Sequence, residues 1–140
     1  MKIDILFIHP NASKIIYQDL SERHSAIEPP IWAGMLANHC RNRNFNVEIL
    51  DCEVLNLDPE QSAKDIAATK PKIACYVVYG QQPSASSQNM EGAILSAKIL
   101  KNNNPEIKIL FVGGHIAALP KETLENEKCI DFIALNEGVY

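Results

Sequence analysis

Short apolar runs, each closed by a Gly, Pro or polar exit, alternate along the chain with stretches in which apolar residues return every third or fourth position. The first pattern predicts strands buried on both faces, the second amphipathic helices. Strands are expected from Ile3 to Ile8, Asn46 to Leu50, Lys72 to Tyr79, Ile107 to Val112 and Ile130 to Leu135. A first helix is expected from Ile31 to Arg43, with Trp32, Met35, Leu36, His39 and Cys40 at helical spacing on one side and the small residues Ala33, Gly34 and Ala37 allowing close packing on a sheet. A second starts at Asp58-Pro59 with the stripe Ala63, Ile66 and Ala67, and a third runs from Ser86 to Asn102 with Met90, Ala93, Ile94, Ala97 and Leu100. A short fourth covers Pro120 to Asn126. Pro29-Pro30 opens the first because a proline in the first turn gives up no helical hydrogen bond, and Asp58 is an N-cap with Pro59 at the first position. From Asn11 to Glu28 neither period holds, and so long a loop in a compact domain is usually functional or disordered.

Strand and helix alternating in this way predict an α/β fold of three layers, α/β/α, around a five-stranded parallel doubly wound sheet with right-handed crossovers. The expected order is 2-1-3-4-5, flavodoxin-like or Rossmann-like. Ligands in such sheets sit beyond the carboxyl ends of the strands where the order reverses, here between the first and third. The exits that reach this edge are His9-Pro10-Asn11, then Tyr79-Gly80-Gln81-Gln82 with Ser84, then Gly113-Gly114-His115, and Glu137-Gly138. Gly113 and Gly114 let a ligand or a helix approach the backbone, with a tight strand-to-helix turn as the plainer alternative. No helix follows the last strand to cover its face, so residues 1–140 are expected to be one domain from the N-terminus of a longer polypeptide.

Composition narrows the classes. The chain has 140 residues, 46% hydrophobic and 21% charged, with a formal net charge of −4. That balance, with no basic stripe, argues against nucleic-acid and anionic-membrane partners. No apolar run is long enough to span a bilayer, and the N-terminal run is too short for a signal peptide, so a cytoplasmic location is expected. Cys40, Cys52, Cys75 and Cys129 lie far apart, without Cys-x-x-Cys or Cys-His spacing, and are expected to be free thiols rather than metal ligands.

Familiar occupants of such a sheet are weighed by the residues they require. A dinucleotide fingerprint needs Gly-x-Gly-x-x-Gly after the first strand, and His9-Pro10-Asn11-Ala12-Ser13 has no glycine. A phosphate-cradling loop with Lys-Ser/Thr is absent, and the first and third strands lack the acidic ends of a phospho-receiver. No Ser-His-Asp or Cys-His set emerges from residue order, so no catalytic residue is assigned. His39 reads as a packing or surface residue and His24 as a loop residue. His9 and His115 lie at strand exits.

The segments Ile5-Leu-Phe-Ile-His-Pro10, Glu28-Pro-Pro-Ile-Trp-Ala-Gly-Met-Leu-Ala37, Val47-Glu-Ile-Leu-Asp51, Val112-Gly-Gly-His115, Ala118-Leu-Pro-Lys-Glu-Thr123, Asp131-Phe-Ile133 and Asn136-Glu-Gly138 occur in this order across the whole chain. Together they resemble the N-terminal cobalamin-binding domain of cobalamin-dependent radical S-adenosylmethionine enzymes. The resemblance implies cobalamin as cofactor and, as partner, a barrel of the same longer chain carrying a 4Fe-4S cluster and S-adenosylmethionine, in many members a methyltransferase. It implies that Gly80 to Ser84 hydrogen-bond the corrin amides and that Gly113-Gly114 make room for the nucleotide tail. Classical carriers place Asp-x-His-x-x-Gly after the first strand. Here His9 lacks both the Asp two residues before and the Gly three after, so a tail-base-off cobalamin without histidine ligation is expected. The three-cysteine cluster motif is not in this sequence, and the piece alone cannot perform the parent reaction. The competing expectation is a regulatory or interaction domain of the same fold with an empty cleft.

Overall fold

The computed structural model describes residues 2–11, 27–79 and 83–136, with backbone alone for 83–88. Its strands are β1 (Ile5–His9), β2 (Val47–Asp51), β3 (Ile73–Val78), β4 (Lys108–Gly113) and β5 (Phe132–Ala134). Its helices are α1 (Ile31–Arg41), α2 (Pro59–Thr69), α3 (Pro83–Asn103), α4 (Gly114–Ala118) and α5 (Pro120–Asn126). Every strand pairing is parallel and the order is β2-β1-β3-β4-β5, as the alternation predicts. The order reverses between β1 and β3.

Two-residue alternation divides the strands between two cores. Leu6, Ile8, Ala74, Tyr76, Val78, Ile109 and Phe111 pack with Ala63 and Ile66 of α2 and with Ala93, Ala97 and Leu100 of α3. Phe7, Cys75, Val77 and Val112 pack with Ala33, Leu36 and Ala37 of α1. Full burial of a residue such as Ile66 or Leu100 contributes roughly 1.5–3 kcal/mol over leaving it in water. The hydroxyls in the first core form a chain, Tyr76 Oη to Ser96 Oγ at 2.9 Å, Ser96 Oγ to Ser62 Oγ at 3.2 Å and Ser62 Oγ to Cys52 Sγ at 3.3 Å. No helix among the described residues is long and apolar enough to cross a membrane. All four cysteines are free.

Three local expectations change. The buried line of α1 is Ala33, Leu36 and Ala37, while Trp32 and Met35 remain 38% and 54% exposed. Two alanines let the helix sit close to the sheet, and the larger side chains are turned to its margins. α3 begins at Pro83 rather than Ser86, which moves Ser84 from the expected exit loop into the first helical turn, a position open to a preceding proline. α4 starts directly after β4, so Gly113-Gly114 forms the tight strand-to-helix turn, and this helix precedes the one expected from Pro120.

Candidate functional site

The carboxyl ends of β1 and β3 flank the point where the strand order reverses, and a cavity of about 300 Å³ opens there. His9, Glu28, Pro30, Trp32, Val77 and Tyr79 are among its walls. Alternation explains their convergence. Residues 5, 7 and 9 of β1 and 75, 77 and 79 along β3 face α1, so the last side chain of each strand projects into the gap below the helix N-terminus. Trp32, displaced from the sheet by the alanines, stacks on Tyr79 with ring centroids 4.5 Å apart and planes 22° apart. The Tyr79 hydroxyl donates to the Asn136 carbonyl at 2.9 Å, tying the β3 exit to the β5 exit. Asn136 holds a left-handed φ of 56°, which asparagine tolerates better than most residues.

His9 is buried and is the register partner of Asp51. Its Nδ1 lies 3.1 Å from Asp51 Oδ1, and since a carboxylate only accepts, Nδ1 carries the proton. The same Asp51 oxygen accepts the backbone N–H groups of Glu53 and Val54, both at 3.2 Å, which bends the chain after β2. His9 Nε2 lies 3.8 Å from Glu53 Oε2. Burial pushes the Glu53 carboxyl above its usual range, and the His9 ring and the Glu28 backbone N–H pull it back down. Both ring nitrogens of His9 therefore face carboxylates.

The other expected site residues divide. Pro10 and Asn11 are buried, and Asn11 Nδ2 donates to the Leu57 carbonyl at 3.3 Å, so this exit runs down toward α2. Gly80, Gln81, Gln82, Glu137 and Gly138 lie outside the described residues, and Ser84 is described by its backbone in α3. Gly113 ends β4 on the face opposite His9, with φ 162° and ψ 170°, an extended conformation. Its lack of a side chain is explained by its own neighbour, since a Cβ there would lie 2.8 Å from the Val78 carbonyl carbon. Gly114 is the exposed first residue of α4. His115 lines a separate groove between α3 and α5, so the structure does not bring it to His9.

Sequence reasoning missed Trp32, Asp51, Glu53 and Asn136 as parts of this edge. Extending β1 to His9 and β2 to Asp51 would have paired those two residues. Nothing local marks Trp32, whose position follows from the rotation of α1 on the sheet. Among the described residues no group of three or more His, Cys, Asp or Glu is placed to hold a metal ion.

The model of the B12 binding domain family matches residues 22–140. A protein of Pyrococcus horikoshii described as an uncharacterized methyltransferase is 29% identical over 110 residues, covering 79% of this chain and 22% of that protein. The radical S-adenosylmethionine methyltransferase TsrM of Kitasatospora setae superposes in two structures. One, with tryptophan substrate and an S-adenosylmethionine analogue, gives a TM-score of 0.64 at 15% identity over 89% of this chain and 21% of that one. The other, with cobalamin and a [4Fe-4S] cluster, gives 0.63 at 15% identity over 91% and 21%. The chain thus spans about a fifth of the length of these relatives, and the structural likeness is one of fold.

Proposed function

The chain belongs to the B12-binding domain family, and from that premise we propose that it holds cobalamin over the carboxyl edge of its sheet as one module of a longer radical S-adenosylmethionine methyltransferase. The observation that carries this reading is the cavity at the strand-order reversal. Its chemistry fits the group. The stacked Trp32 and Tyr79, with Val77 and Pro30, offer apolar walls to a flat heteroaromatic tail base, and the polar exits on the same edge offer partners to corrin amides.

Cobalamin, when bound, supplies a cobalt centre able to carry a methyl group. The residues of this chain bind and orient it. His9 Nε2 faces Glu53 rather than the edge, which supports a tail-base-off cofactor with no histidine on cobalt, while the Asp51 contact at Nδ1 fits a ligating and an unligated histidine equally. Histidine ligation would need Nε2 to turn from Glu53 toward the edge. Trp32 joins His9 and Tyr79, both expected from the sequence, as cofactor contacts at this cavity, and the rest of a longer protein would supply the barrel.

The test is incubation with hydroxocobalamin, removal of unbound cofactor and recording of the visible spectrum. Retained corrinoid absorbance is expected, with the same spectrum from His9→Ala. A colourless protein would favour the regulatory domain with an empty cleft, and a cobalt spectrum altered by His9→Ala would overturn the unligated reading.

A further inference from the structure

On the face of the sheet away from the Trp32 cavity, α3 and the α4–α5 pair enclose a groove of about 590 Å³. Met90, Ile94 and Leu95 of α3 and Leu119 at the α4–α5 junction give it an apolar lining. Leu95 is 47% exposed and Leu119 44%, so both leucines leave apolar surface open to solvent. Charge is distributed unequally around this lining. Glu127 is neutralised by Lys98 at 2.8 Å, whereas Glu91 on the α3 wall and Glu122 on the α5 wall make no ion pair among the described residues. The result is an apolar strip within a polar-rimmed groove, with a carboxylate on each bank that has no ion-pair partner among the described residues.

We propose that this groove docks an amphipathic helix of a protein partner whose apolar stripe is bordered by lysine or arginine on both sides. Along α3 the lining runs from Met90 to Lys98, which at 1.5 Å per residue is roughly 12 Å, about two helical turns. That length accommodates anchors at positions i, i+3, i+4 and i+7 of a bound helix, the usual helix-in-groove arrangement. Basic residues flanking the stripe would meet Glu91 and Glu122, and opposite charge across a rim sets orientation and partner choice. A second copy of this chain is a poor match. α1, whose Ile31 and Met35 are exposed, carries no lysine or arginine before Arg41. The proposal stands independently of cobalamin, because the groove and the Trp32 cavity share no residue.

The experiment is an NMR titration of the isotope-labelled chain with a synthetic helical peptide of about 18 residues, leucine at the stripe positions and lysine beside them. The expected result is saturable shifts clustered at Ile94, Leu95, Leu119 and Glu122. Affinity should fall about tenfold or more in the Glu91→Lys/Glu122→Lys double variant, whose exposed positions leave folding intact. Leu95→Gln should weaken binding without changing charge, and a peptide with glutamate in place of lysine should not bind at the same concentration. Cobalamin retention by each variant should equal that of the parent chain. Shifts centred on Trp32 and Tyr79, affinity indifferent to the charge reversal, self-association of the chain at the groove, or no saturable binding would each overturn the proposal.

Discussion

A methyl group at position 113 would lie 2.8 Å from the Val78 carbonyl carbon, because Val78 and Gly113 are register partners in adjacent strands. The obstacle is main chain in the middle of the sheet, which cannot swing aside as a flexible side chain can. Gly113→Ala is expected to lower stability by about 1–3 kcal/mol, the range for overpacking a tight site. Urea unfolding should show a lower midpoint with an unchanged slope, and a midpoint equal to that of the parent chain would contradict this account. The glycine pair is visible in the sequence, but its cause is not. Ligand approach, positive φ and strand approach all select the same residue, and the extended backbone at Gly113 together with Val78 identifies the third. His9 teaches the same lesson. Its place at a strand exit was legible, whereas its engagement by Asp51 depended on a register set 42 residues away.

At the scale of elements, local chemistry was the better guide where the determining atoms are close in sequence. Asp58 caps α2 by accepting the Gln61 N–H at 2.8 Å, and the Gln61 side chain accepts the Asp58 N–H at 3.2 Å, a reciprocal capping box. Asp58→Ala should lower stability by about 1 kcal/mol, the typical loss of an N-cap, whereas Asp58→Ser should recover most of it. Thermal melts of the two variants compare them directly, and equal melting temperatures would mean that the box is not holding the helix end. α1 shows the limit of the same reasoning. Its period fixed that it is a helix, but both Trp32-Met35-Leu36-His39-Cys40 and Ala33-Leu36-Ala37-Cys40 are helical lines. The closeness of approach to β1 and β3 selected the line with alanines and released Trp32 to Tyr79.

At the scale of the whole molecule, Asp131 fastens the late elements to one another. Its carboxylate takes Lys101 Nζ from α3 at 2.7 Å and the Ile109 N–H of β4 at 2.8 Å, just before β5 begins. Burial works against its charge, but the Lys101 ammonium and the Ile109 N–H outweigh it and hold the carboxyl below the ordinary aspartate value of 3.8. A depressed folded-state pKa stabilises the fold above 3.8, and this contribution is lost as the pH falls through the folded value. Asp131→Asn should lower the melting temperature near neutral pH, by the equivalent of about 1–2 kcal/mol. It should also flatten the decline of melting temperature with acid below 3.8, where Asp4, held down by Lys72 and the Asn46 N–H, continues to titrate. A variant profile parallel to that of the parent chain throughout would show that Asp131 is not linked to folding.

The sequence by itself determined the strand order, the parallel sheet and the capped start of α2. Each follows from hydrophobic period, turn residues and chain connectivity, which act over a few residues or through general rules of chain crossing. Tertiary structure alone decided which exits share a cavity. The alternation of side chains across a pleated sheet sends His9 and Tyr79 under α1, Gly113 faces the other core and His115 lines the α3 groove, a separation that depends on register and helix rotation between segments distant in sequence.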